Sequence, residues 1–86
     1  MNSVNITGIL REVIDEKYRY FEYQLPYDEE NAEGRVNKIV VTFWTKLPKP
    51  RLIVLPENTR VAISGHLDVS QKFGTILLVE QLEVIR

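Results

Sequence analysis

Apolar and polar residues alternate along much of this chain with a period of two. Two stretches do so in nearly the same words, Val4-Asn5-Ile6-Thr7-Gly8-Ile9-Leu10 and Val61-Ala62-Ile63-Ser64-Gly65-His66-Leu67. Both read V-x-I-(T/S)-G-x-L. A period of two means an extended strand with one buried face. A glycine at the same inward place in both copies marks where a strand bends or where another backbone comes close. Two strands that bend midway are what a small closed barrel requires.

The same pattern predicts five strands. Strand one runs from about Val4 to Ile14, and Asp15-Glu16-Lys17 forms the turn after it. Strand two, Tyr18 to Tyr27, sets Phe21, Tyr23 and Leu25 on an inward face and Tyr18, Tyr20, Glu22 and Gln24 on the other. Pro26 places the end of this strand, or a sheet edge, nearby. The acidic run Asp28 to Gly34 is a loop. Strand three, about Val36 to Lys46, is the most β-prone segment. It has two apolar parities, Ile39, Val41 and Phe43 against Val36, Lys38, Val40, Thr42 and Trp44, and its inward face stays open. Pro48 and Pro50 cannot donate to a ladder, so Leu47 to Arg51 is a connector, with a short turn through Leu52 to Leu55. Strand four is Arg60 to Asp68 and strand five Thr75 to Ile85. The residues between them form a hairpin whose tip exposes Lys72 and Phe73. No amphipathic helix is evident. An all-β chain with a three-strand meander, a long connector and a closing hairpin is expected to be a five-stranded Greek-key barrel of the oligonucleotide/oligosaccharide-binding type, the OB-fold. Residues 1–86 make a single domain.

Composition narrows the setting. The chain has 86 residues, no cysteine and a net charge of −1. A domain this small without a disulfide needs efficient packing or a partner subunit, so a homodimer is expected. No stretch approaches the roughly twenty apolar residues that span a bilayer, and no secretion signal opens the chain, which points to the cytoplasm. The charges are uneven. Residues 1–34 carry eight acids against three bases, whereas residues 35–73 carry seven bases (Arg35, Lys38, Lys46, Lys49, Arg51, Arg60, Lys72) against two acids.

Three segments together resemble a known family. Asn2 to Leu10 is similar to the first strand of the bacterial single-stranded DNA-binding proteins and the related primosomal replication protein N. Val61 to Leu67 resembles their fourth strand, and Val79-Glu80-Gln81-Leu82-Glu83-Val84-Ile85 looks like the last strand of the primosomal protein. The resemblance implies an OB-fold that binds single-stranded DNA. It aligns Phe43 with an aromatic used for base stacking and sets Phe73 within a residue of another. Asn37 stands where tetrameric members carry an aromatic, and the helix between strands three and four is shortened or replaced by the Leu47 to Leu55 linker. The family's acidic tail is not expected here, because the chain stops at Arg86, and the primosomal relative is therefore the better guide.

Sequence-tolerant binding of a single strand requires cations for phosphates and exposed aromatic faces for bases. The candidates are Tyr18 and Tyr20 on strand two; Arg35, Lys38, Phe43, Trp44 and Lys46 on or beside strand three; and Lys72 with Phe73 at the hairpin tip. Phe43 and Trp44 are neighbours, so in a regular strand they face opposite ways. Ser64, His66 and Asp68 share one face of strand four, but successive members stand roughly 6.5–7 Å apart along it. A catalytic triad gathers its members from separate elements, so no enzyme is expected. The lone His66 has no ligand partners in its neighbourhood, and neither a metal nor a cofactor nor a small-molecule substrate is expected. The leading expectation is a single-stranded DNA-binding protein of replication, recombination or repair. The alternatives are an OB barrel used for protein–protein assembly and an RNA-binding module.

Overall fold

The computed structural model describes residues 3–24, 36–43 and 51–85. They form strands β1 (Val4–Val13), β2 (Arg19–Gln24), β3 (Val36–Phe43), β4 (Arg60–Ser70) and β5 (Gly74–Val84), with a one-turn helix α1 (Arg51–Val54) before β4. The strands close into a barrel in the order β1-β2-β3-β5-β4. All pairings are antiparallel except β3 with β5. This is the five-stranded OB barrel expected from the alternation. The connector turn forms as a helical turn starting at Arg51, one residue earlier than expected. Leu25 to Arg35, including Pro26 and the acidic loop, lies outside the described residues, as does Trp44 to Pro50.

The two copies of the repeated phrase turn out to be partners. β1 and β4 pair so that Val4 lies opposite Gly65, Ile6 opposite Ile63, and Gly8 opposite Val61. Each glycine faces the other copy's valine, and the two isoleucines meet at the centre. The phrase is thus self-complementary, with bulk set against its absence along one inward row. A Cβ at Gly8 would run onto the Glu22 carbonyl oxygen and stand 2.6 Å from Phe21 Cζ. At Gly65 it would run onto the Leu78 carbonyl oxygen. Close backbone approach, one of the two roles anticipated for these glycines, is therefore found at both. A register slip coincides with Gly65, between Ser64 and Gly65, where β4 pairs with β5. In β1 the register slip against β2 lies between Leu10 and Val13, past Gly8.

The slip at Gly65 explains how β5 keeps one face inside. Gly65 pairs with Val79 and Ser64 with Gln81, which leaves Glu80 as the extra residue of a bulge. The inward positions accordingly change from Leu77 and Val79 to Leu82 and Val84, all of which belong to or pack on the core. That core is Leu10, Phe21, Val41, Leu52, Val61, Ile63, Leu77 and Val79. Ile39 and Phe43 pack against it, which settles the inward parity of β3. The outward parity is apolar for a separate reason. Val40, between Tyr20 and Ile76 in the register, is buried, and so are Ile76 and Leu78. They floor the outer face of β3 and β5.

One inward position carries a charge. Arg19 pairs with Val41 and is 1 % exposed. Its Nε donates to the Arg11 carbonyl at 2.7 Å, and its Nη1 donates to the carbonyls of Leu52 (3.0 Å), Ile53 (3.4 Å) and Leu55 (2.6 Å). A one-turn helix leaves its last carbonyls without intrahelical partners, and this guanidinium supplies them. Burial lowers the Arg19 pKa from its usual value, and Glu57 opposes that shift.

Candidate nucleic-acid interface

Tyr18 is held by the turn that precedes it. The Asp15 carboxylate accepts from the backbone N–H groups of Lys17 (2.8 Å) and Tyr18 (3.0 Å), an Asx-type turn. The Ile14 N–H donates to the Tyr18 carbonyl at 2.9 Å. From β3, the Thr42 hydroxyl donates to the Lys17 carbonyl at 2.7 Å and ties the turn to the barrel. The β4–β5 hairpin has a matching device. Ser70 Oγ accepts from the N–H groups of Lys72 (3.1 Å) and Phe73 (3.2 Å). Gly74 then turns the chain with φ 75°, a conformation that favours glycine.

The two turns bring their aromatics into contact. The Tyr18 and Phe73 rings lie 4.9 Å apart between centroids and are tilted by 47°. Lys72 Nζ lies 5.3 Å from the centroid of the Phe73 ring and has no ion-pair partner among the described residues. Phe73 is half-buried, against the expectation of an exposed tip, because Tyr18 provides it with a surface to lean on.

Further along the same outward face of β2, Tyr20 has Lys38 Nζ at 5.7 Å from its ring centroid. Lys38 also pairs with Glu12 at 3.3 Å, and Arg11 pairs with Glu22 at 3.4 Å while bonding the Asn58 side chain. The face thus has two parts. One combines Tyr18, Phe73 and an unpaired Lys72; the other combines Tyr20 with cations already held by carboxylates.

Of the residues expected at a binding site, Tyr18, Tyr20, Lys38, Lys72 and Phe73 fall within these two parts. Phe43 takes the inward parity and packs half-buried against the core, away from Tyr20 and Lys38. Arg35, Trp44 and Lys46 lie outside the described residues. Sequence reasoning did not single out Asp15, Thr42 and Ser70, which hold the turns, nor Glu12 and Glu22, which hold the cations. Asp15 and Ser70 each stand three residues before the aromatic they position, a local spacing that could have been read. The ion pairs join residues far apart in the chain and had no such signal. On β4, His66 Nδ1 lies 2.6 Å from Glu80 Oε1, and Asp68 accepts from the Val69 N–H. Ser64, His66 and Asp68 therefore form no hydrogen-bonded relay among themselves.

The fold is shared with solved structures. PriB from Ralstonia solanacearum superposes with a TM-score of 0.71 at 16 % identity, over 100 % of this chain and 99 % of that one. The small single-stranded DNA-binding protein from Streptomyces coelicolor also gives 0.71 at 16 % identity, over 99 % and 96 % of the two chains. The dimeric N-terminal domain of PriB from Thermoanaerobacter tencongensis gives 0.57 at 17 % identity, over 99 % and 97 %. No protein-family model matches the chain, and no curated protein matches its sequence.

Proposed function

We propose that this chain binds single-stranded DNA with little sequence preference, in replication, recombination or repair. Bases stack on Tyr18, Tyr20 and Phe73, while Lys72 meets phosphates and Lys38 lies beside Tyr20; Arg35, Trp44 and Lys46 join them on sequence grounds. The observation that carries the reading is the Tyr18–Phe73 contact beside Lys72. Two loops distant in sequence, each braced by its own side-chain-to-backbone turn, deliver aromatic rings and a cation to one place. Bases of any identity have a face to stack, so such a site tolerates sequence. The shared barrel with single-stranded DNA-binding proteins supports the same reading.

Anisotropy of a labelled oligo-thymidine, titrated at low and moderate salt, tests it. Phe73→Ala and Tyr18→Ala should each weaken binding by roughly tenfold, within the range for loss of one stacked base. Lys72→Ala should reduce the dependence of log K on log salt by about 0.7, the value for one phosphate contact on a single strand. No binding at micromolar protein in low salt would refute the proposal, and tighter binding of oligo-uridine would assign the site to RNA.

The same reading takes the protein to be a homodimer, since a cysteine-free chain of 86 residues gains most from a second subunit. Light scattering should then return twice the mass of one chain, and the mass of a single chain would refute it.

A further inference from the structure

Arg11 and Lys38 lie on the proposed binding face, yet neither is free. Lys38 Nζ is 3.3 Å from Glu12, with side chains 49 % and 50 % exposed, and Arg11 is 3.4 Å from Glu22, with side chains 31 % and 19 % exposed. Both carboxylates come from strands of the same barrel, β1 and β2, and they occupy the cations a phosphate would otherwise meet. We propose that Glu12 and Glu22 are specificity-determining residues: they compete internally with the phosphate backbone, so that a polyanion gains little from this half of the face unless it also stacks on Tyr20. The inference rests on the single-strand reading of the face.

The physical argument concerns counterions. Affinity for a nucleic acid through phosphate contacts comes largely from releasing condensed cations, one contribution per neutralised phosphate. A lysine already paired to a carboxylate must first give up that partner, and its net contribution shrinks accordingly. The Lys38–Glu12 pair is exposed on both sides, and a pair of that kind is weak enough to open for a ligand. Stacking does not require either carboxylate pair to open, because the Tyr20 ring is itself uncharged. A duplex, whose bases are already stacked, and an inorganic polyphosphate, which has none, both lack that compensation. Paired cations beside an aromatic therefore favour unstacked single strands over other polyanions. Among the described residues no acid pairs with Lys72 beside Tyr18 and Phe73, and that end supplies the phosphate contact.

The test compares Glu12→Gln, Glu22→Gln and the double variant with wild type by anisotropy of labelled oligo-thymidine, labelled duplex and inorganic polyphosphate as competitor, across a salt series. Each substitution is isosteric, and thermal melts establish that the barrel is intact. The expected result is oligo-thymidine binding at least about threefold tighter at low salt, with a salt slope steeper by about 0.7 per cation released. Duplex and polyphosphate should gain more, so that preference for the single strand falls. Glu83→Gln, on β5, changes the net charge equally and should do none of this. Unchanged affinity and slope in the Glu12 and Glu22 variants, or the same gain from Glu83→Gln, would overturn the inference while leaving the single-strand reading intact. Wild type that binds no oligo-thymidine would instead remove that reading.

Discussion

Gly65→Ala should cost about 3 kcal/mol of folding stability, the upper part of the range for overpacking, and lower the urea midpoint accordingly. A Cβ there would overlap the Leu78 carbonyl oxygen and stand 2.9 Å from the carbonyl carbon. Both are backbone atoms of a paired strand and cannot rotate away as a side chain would. Relief requires β5 to move off β4 at the bulge, which would disturb the inward switch from Val79 to Leu82. A chain of this size has a total stability of only roughly 4–13 kcal/mol, so the loss is a large share of it. Gly74→Ala is the contrasting control. No atom lies within 4 Å of a Cβ at that position, and only the left-handed φ of 75° is strained, so the cost should be about 1 kcal/mol. Circular dichroism melts and urea titrations of the two variants should rank Gly65 well above Gly74. Equal costs would mean that the strands can separate at the bulge without penalty.

The contrast between these glycines shows which parts of the molecule were readable in advance. Gly65 stood out because its phrase recurs, and alternation is a local property that survives into the strand. The pairing of the two phrases with each other was a further fact that their symmetry allowed but did not demand. In β3 both parities are apolar because Val41 faces the core while Val40 is buried on the outer side, and no one-strand pattern can separate two buried faces. The candidate interface divides in the same way. The outward parity of Tyr18 and Tyr20 follows from Phe21 facing in, so those residues were legible. That Tyr18 would meet Phe73, and that Lys38 would be paired with Glu12, depends on which loops and strands the barrel closure brings together. Arg19 shows where parity and charge disagree: its parity matches Phe21 and Tyr23 and places it inside, although a charge ordinarily argues for the surface.

Arg19→Met should therefore be the most damaging change at a charged residue, with an expected loss of about 3 kcal/mol, because a buried acceptor left unpaired costs about 1–3 kcal/mol. Methionine fills much of the same volume but returns no hydrogen bond to Arg11, Leu52, Ile53 or Leu55. The Leu55 N–H donates to the Arg51 carbonyl at 3.2 Å, and the guanidinium takes up the carbonyls that follow it. Leu52, 3 % exposed within the core, should loosen with it. Arg19→Lys keeps the charge on a point donor that lacks the planar fork, and it should recover about half of the loss by reaching fewer of the four carbonyls. Urea denaturation gives the global figure, and hydrogen exchange at the Leu55 amide reports whether α1 opens first. A methionine variant as stable as wild type would show that desolvating the guanidinium costs as much as its four bonds return, a balance known for buried charges. In that case the arginine would serve to specify where α1 docks under the barrel rather than to stabilise it, and the Leu55 amide would exchange faster even at unchanged global stability.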